Sequence, residues 1–213
     1  MPRELAIEIA SDVICPWCYI GKRRLEKALA LVDSEMSGSA QPALRWLPFE
    51  LNPDLPAGGM PRAEYRRAKF GSPERAKQLD ARVAAEGRTV GIEFAFERME
   101  RTPNTRAAHE LIDLAQRQGK ANAVVDALFR AYFEEARDIG DATVLADIAA
   151  RHELSGWPGQ ARHEEVGALE DEVRGLGISA VPTFIFDRKL GVSGAHPPEH
   201  LAQAIRQALG EAT

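Results

Sequence analysis

The chain has 213 residues, 45% hydrophobic and 28% charged, which supplies apolar material for one sizeable core or two modest ones and excludes disorder as its main description. Its 27 basic residues against 32 acidic ones leave a net charge of −5, without the basic excess that a dedicated binder of nucleic-acid phosphates needs. No apolar run reaches the ~18 residues of a membrane span, and Met1 to Leu5 lack the apolar core of a secretory leader, so a cytoplasmic protein is expected if no leader has been trimmed.

In chain order, Leu5, Ile7 and Ile9 alternate with other residues and predict a first strand. Cys15-Pro16-Trp17-Cys18 follows, and then Leu25, Ala28, Leu29 and Val32 fall on one side of an amphipathic helix. Pro16 suits the first turn of that helix, where a missing N–H is not felt. Ala43 to Leu47 predict a second strand. The prolines and glycines between Pro48 and Pro61 then mark a turn-rich connection and a domain boundary. Beyond it the character is helical. Ser72-Pro73 predicts a helix start and Thr102-Pro103 another, and further helices are read at Val124 to Glu135 and behind a capping Asp141. Ile92 to Phe96 alternate and read equally as a strand or an extended connector. After a helix ending near Gly175 to Gly177, Val181 to Gly194 predict a β-hairpin, and Leu201, Ala204, Ile205 and Leu209 a closing helix. Without the helical block the order is β-α-β-α-β-β-α.

Cys15 and Cys18 are the only cysteines. A bond between them would close too short a loop to act as a useful staple, and a reducing cytosol would tend to open it. A structural zinc site needs four ligands, and none of the five histidines lies near the pair in sequence, so no metal is expected. His196-Pro197-Pro198-Glu199-His200 has the spelling of a zinc-protease motif, but Pro198 biases Pro197 away from helical geometry and sets His196 before the helix that carries His200. Redox chemistry is the remaining use of the cysteines. A helix N-terminus favours a thiolate, so Cys15, placed on the connecting loop and expected to be exposed there, reads as the attacking sulfur. Cys18, one turn further in, reads as the resolving one. Trp17 adds no cation, which predicts a milder oxidant than DsbA. Lys22 and Arg23 either support the thiolate or form a solvated face. Leu128, Phe129, Tyr132 and Phe133 read as helix-packing residues.

Cys15-Pro16-Trp17-Cys18-Tyr19-Ile20-Gly21-Lys22, Pro48-Phe49-Glu50-Leu51-Asn52-Pro53, Asn104 to His109, Gly177 to Phe184 and Val192 to Ala195 together resemble the signature stretches of the DsbA-like thioredoxin-fold family, FrnE-type branch. The resemblance implies an α/β thioredoxin fold, residues 1–58 and 170–213, interrupted by an all-helical domain over 59–169. It implies a dithiol–disulfide oxidoreductase or isomerase acting on protein or small-molecule thiols and disulfides. It also reverses the usual trans expectation for Pro182: a cis bond would turn the Val181 backbone toward the cysteines, where an extended substrate can pair with it. The site residues implied are Cys15, Cys18 and Pro182, with Pro16, Trp17, Val181 and Asn52 at the substrate. Asn52, Asn104 and His109 can equally be caps or satisfied polar groups.

A sister branch, similar to 2-hydroxychromene-2-carboxylate isomerase and kappa-class glutathione transferases, typically has Ser at the position of Cys15 and Gly-x-Asp-Arg where this chain reads Gly194-Ala195-His196-Pro197. A glutathione-dependent isomerase or transferase is therefore the alternative, and a non-catalytic binding module or chaperone a third class. No tightly bound cofactor is expected, with glutathione as a candidate co-substrate; assembly into a homo-oligomer stays open.

Overall fold

The computed structural model describes residues 5–35 and 42–210, so Met1 to Glu4, part of the start on which the cytoplasmic expectation draws, lie outside the described residues. The elements are β1 (Ala6–Ser11), α1 (Pro16–Glu35), β2 (Ala43–Pro48), β3 (Met60–Pro61), α2 (Arg62–Phe70), α3 (Pro73–Arg88), β4 (Arg101–Thr102), α4 (Arg106–Arg117), α5 (Ala121–Phe133), α6 (Ala142–Arg151), α7 (His163–Gly175), β5 (Thr183–Phe186), β6 (Leu190–Ser193) and α8 (Pro198–Leu209). The main sheet has the order β2-β1-β5-β6. β1 runs parallel to β2, with Ile9 opposite Trp46, and antiparallel to β5, with Ile9 opposite Phe184. This is the β-α-β-α-β-β-α frame of a thioredoxin fold, with α2 to α6 inserted between β2 and α7. The helix α7 runs unbroken through residue 170, where the sequence places a domain junction.

Alternation along β1 sends Ile7 and Ile9 to one face, against α1 and α8, and Ala10 to the other, against Leu47, Phe49 and Val173 of α7. Leu111, Val125, Phe129 and Phe133 of the inserted helices join the same buried cluster as Ile9 and Trp46, so the insert shares the core of the sheet. Phe129 of α5 stacks on Tyr19 of α1 with ring centroids 4.9 Å apart, and the Tyr19 hydroxyl donates to Glu134 at 2.6 Å. Burial of Phe129 and Phe133 contributes about 1.5–3 kcal/mol each to holding the insert against α1.

Local signals explain most element ends. Ser72 Oγ accepts from the Arg75 N–H, with Pro73 opening α3, and Asp141 Oδ1 accepts from Thr143 N–H at 2.7 Å to open α6. The β5–β6 turn places Asp187 and Arg188 at φ of 49° and 56°. Thr102-Pro103 does not start a helix, contrary to the sequence expectation. Thr102 pairs with Met60 in β4, and the start of α4 passes to Asn104, whose Oδ1 accepts the Arg106 N–H at 2.9 Å. Residues 92–95 form a connector, pinned by the Ala95 N–H to the Phe133 carbonyl at 2.7 Å, before a short 3-10 turn at Phe96–Arg98. The helix α2 is unforeseen. None of its residues is buried, so it carries no apolar stripe to read; Arg62 and Arg66 hold it to Asp80 of α3 at 3.1 and 2.6 Å.

Candidate active site

The loop from β1 to α1 is cinched by one carboxylate. Asp12 is fully buried; its Oδ1 accepts from Ile14 N–H at 3.4 Å, its Oδ2 from Leu51 N–H at 2.7 Å, and its carbonyl from Cys15 N–H at 3.0 Å. Cys15 thereby becomes the residue that caps α1: its own carbonyl accepts from Cys18 N–H at 3.0 Å and Tyr19 N–H at 3.3 Å, and Pro16 takes the first helical position. Both cysteines are free thiols. The expectation of an exposed Cys15 is corrected, since the residue is only 5% exposed. Its surface opens instead into a cleft of about 640 Å³ between the start of α1 and the wall made by α2 and α3, lined also by Trp17, Arg66, Lys69, Phe70 and Phe96.

The Cys15 thiol lies 3.8 Å from the Val181 carbonyl, toward which it donates. The Val181–Pro182 peptide is cis rather than trans. Gly21 is the point where α1 meets this loop, because a Cβ there would fall 2.8 Å from Pro182 Cγ. Cys18 is 2% exposed. Burial pushes its thiol well above the ordinary range and the neighbouring Cys15 pushes the same way, while the Ser11 hydroxyl and the Asp12 backbone act in the opposite direction. Trp17, by contrast, is 39% exposed at the mouth of the cleft. Asn52 Oδ1 accepts from the Tyr65 hydroxyl at 3.2 Å and ties the loop after β2 to α2.

A family model described as a DSBA-like thioredoxin domain matches residues 6–206. The chain belongs to that family. A probable DsbA oxidoreductase from Streptomyces coelicolor is 33% identical, with a TM-score of 0.86 over 99% of this chain and 92% of that one. An uncharacterized protein, YwbO of Bacillus subtilis strain 168, is 28% identical over 84% of this chain and 85% of its own. The cytosolic disulfide reductase DsbM of Pseudomonas aeruginosa shares the fold at 19% identity, with a TM-score of 0.68 over 96% and 98% of the two chains, and another of its structures contains GSH.

Within this DsbA-like frame Lys22 does not belong to a solvated face. Lys22 is 3% exposed and donates to Asp126 of α5 at 3.1 Å and to Glu26; Arg23 pairs with Asp126 at 2.9 Å. These cations tie α1 to the insert, and the carboxylates take up their charge. His196 precedes α8, with Nε2 against the Ser193 carbonyl at 2.9 Å and its ring stacked on His200.

Sequence reasoning missed the buried charges under the loop after β2. Glu170 Oε1 accepts from Glu50 N–H at 2.7 Å and from Arg174 Nη2 at 2.8 Å, and its Oε2 accepts from Arg106 at 3.1 Å. Arg106 also lies 2.6 Å from Glu50 Oε1. Burial pushes the Glu50 carboxyl up, to about 7, and the like charge of Glu170 adds to this against the pull of Arg106. The one available signal was a carboxylate inside the apolar Phe49-Glu50-Leu51 stretch.

Proposed function

We propose that the protein is a thiol–disulfide oxidoreductase or isomerase that works through the Cys15-Pro16-Trp17-Cys18 dithiol. Cys15 attacks one sulfur of a substrate disulfide, breaking its S–S bond, forming a mixed disulfide and releasing one thiolate. Cys18 then attacks the Cys15 sulfur, closing the Cys15–Cys18 disulfide and releasing the second thiolate, so two electrons pass from protein to substrate. Reversal of the two steps oxidises a substrate dithiol.

The observation that carries this reading is the asymmetry of the pair: Cys15 faces the cleft at the start of α1, and Cys18 lies buried behind it. Pro16 and Trp17 line the cleft beside Cys15, and the Val181 carbonyl beside the thiol suits an extended substrate. A small co-substrate such as glutathione also fits. Lys69 and Arg82 line the cleft without a carboxylate partner among the described residues, and glutathione carries two carboxylates. DsbM, which is both cytosolic and known with GSH, supports glutathione and a cytoplasmic location by analogy. No helix among the described residues is long and apolar enough to cross a membrane. The isomerase alternative needs no resolving cysteine, which makes Cys18 the feature against it.

Alkylation of the single Cys→Ser variants tests the assignment. Cys15 is expected to react well before Cys18, since the Cys18 thiol is both buried and pushed up. Equal rates, or a faster Cys18, would overturn the roles.

A further inference from the structure

We infer that the cleft beside Cys15 selects a small organic disulfide with an apolar, ring-bearing body and carboxylates, which the basic wall of α2 and α3 recognises; this rests on reading the Cys15–Cys18 dithiol as the reacting group and narrows its substrate. Residues 62–88, which make that wall, carry eight basic and four acidic side chains in a chain whose net charge is −5. The wall is an island of positive charge next to the reacting sulfur of an otherwise acidic protein. Such a surface draws anions toward the cleft. The volume of about 640 Å³ falls within the roughly 300–1,000 Å³ of small-molecule sites, which favours a small disulfide over an acidic segment of a protein.

The basic groups of the lining are not cancelled locally. Arg62 and Arg66 share one carboxylate, that of Asp80, at 3.1 and 2.6 Å, and Glu86 is already held by Arg24 at 2.6 Å. Lys69 donates to a neutral partner, the Tyr65 hydroxyl, at 2.5 Å. Two polar atoms of the lining are also buried without a hydrogen-bond partner in the protein. One is Arg66 Nε, whose neighbour Nη2 is taken up by Asp80 and the Ala76 carbonyl; the other is Thr102 Oγ1, on a residue 2% exposed. Both atoms can donate, and a ligand oxygen brought against them would remove the cost of leaving them bare. Most of the remaining lining is apolar, with Trp17, Phe70, Phe96, Phe133 and Val83 among it. Cation and ring sit together on it, since Arg66 lies over the Phe70 ring at 4.4 Å and Arg62 over the Phe96 ring at 5.3 Å. A carboxylate carried on a ring matches that combination, whereas glutathione offers carboxylates without the apolar body. Both electrons come from the dithiol: the Cys15–Cys18 bond forms, the substrate S–S bond breaks, and its halves leave as two thiolates while two protons pass to solvent.

The test is single-turnover reaction of the reduced protein with three disulfide probes: dithiobis-nitrobenzoate, which joins two rings that each bear a carboxylate; dithiodipyridine, which has rings and no charge at neutral pH; and glutathione disulfide, which has carboxylates and no ring. The rate of first thiolate release, divided by the rate of the same probe with free mercaptoethanol, gives an enhancement corrected for each probe's own reactivity. Dithiobis-nitrobenzoate is expected to exceed the other two by roughly tenfold or more, the effect of about one charge-assisted contact. Lys69→Gln combined with Arg82→Gln, both at exposed positions, should lower its ratio to dithiodipyridine by roughly the same factor. Added salt should lower that ratio in the unmodified protein, a reading that needs no variant. An equal enhancement for dithiodipyridine, or a ratio unmoved by both the double variant and salt, overturns the role of the basic wall. An equal or larger enhancement for glutathione disulfide overturns the apolar body, and a larger one for an acidic peptide disulfide overturns the small-molecule class. In each of those cases both thiolates are released and the dithiol reading stands. No thiolate from the unmodified protein with any probe overturns that reading and this inference with it.

Discussion

Replacement of Cys18 by Ser is expected to stop exchange at the covalent intermediate and to abolish multiple turnover with disulfide substrates. The variant keeps Cys15 at the start of α1, facing the cleft and the Val181 carbonyl, and removes the sulfur that would release the bound product. Mixed disulfides should therefore accumulate on Cys15 and be visible by mass spectrometry under non-reducing conditions, whereas Cys15→Ser should trap nothing. The trapped species also separate the substrate classes. Protein adducts mark an oxidoreductase of protein thiols, and glutathione adducts alone mark a small-molecule role. Trapping by Cys15→Ser but not by Cys18→Ser would reverse the two roles; trapping by neither, with glutathione-supported turnover intact, would install the isomerase reading.

Glu170→Ala is expected to cost about 3 kcal/mol or more of stability, read as a lowered urea midpoint. Glu170 is 3% exposed and gathers the Glu50 N–H, Arg174 and Arg106 on two oxygens, so its loss strands a buried backbone donor and removes a carboxylate from two guanidinium groups. A loss below about 1 kcal/mol would contradict the role given to this cluster. The same cluster predicts a pH signature. The Glu50 carboxyl, pushed up to about 7, favours the folded state while protonated, so its contribution is complete below the ordinary carboxyl range and fades as pH rises toward neutrality. Glu170 is held low, its burial outweighed by the Glu50 N–H and Arg174, so its contribution is present above that range and is lost on acidification. Glu50→Gln should flatten the neutral limb of the stability profile and leave the acid limb.

The sheet, α1 and the closing hairpin were legible because strand alternation, a proline at a helix start and a polar turn are local signals, and β1, β2, β5 and β6 stand where those signals fall. α2 was not, since it rests on ion pairs to Asp80 rather than on an apolar stripe. The Cys-x-x-Cys pair and the Val181–Pro182 loop could be read as belonging together, but the burial of Cys15 could not. It follows from the α2–α3 wall and from the loop at Val181, which is 166 residues away in sequence. Lys22 misled for the same reason: a charged residue beside an apolar stripe reads as solvated until Asp126, 104 residues on, is brought against it. The Glu50–Glu170 contact, at a separation of 120 residues, leaves no local mark.

Equilibration of the intact protein with mixtures of glutathione and glutathione disulfide, followed by acid quenching and mass spectrometry, tests the central claim most directly. The account predicts a reversible intrachain Cys15–Cys18 disulfide, appearing as loss of two hydrogens, with a single two-electron midpoint more reducing than the roughly −120 mV of DsbA. Failure to form that disulfide at any ratio, with Cys15 accumulating only as a glutathione adduct, would contradict it.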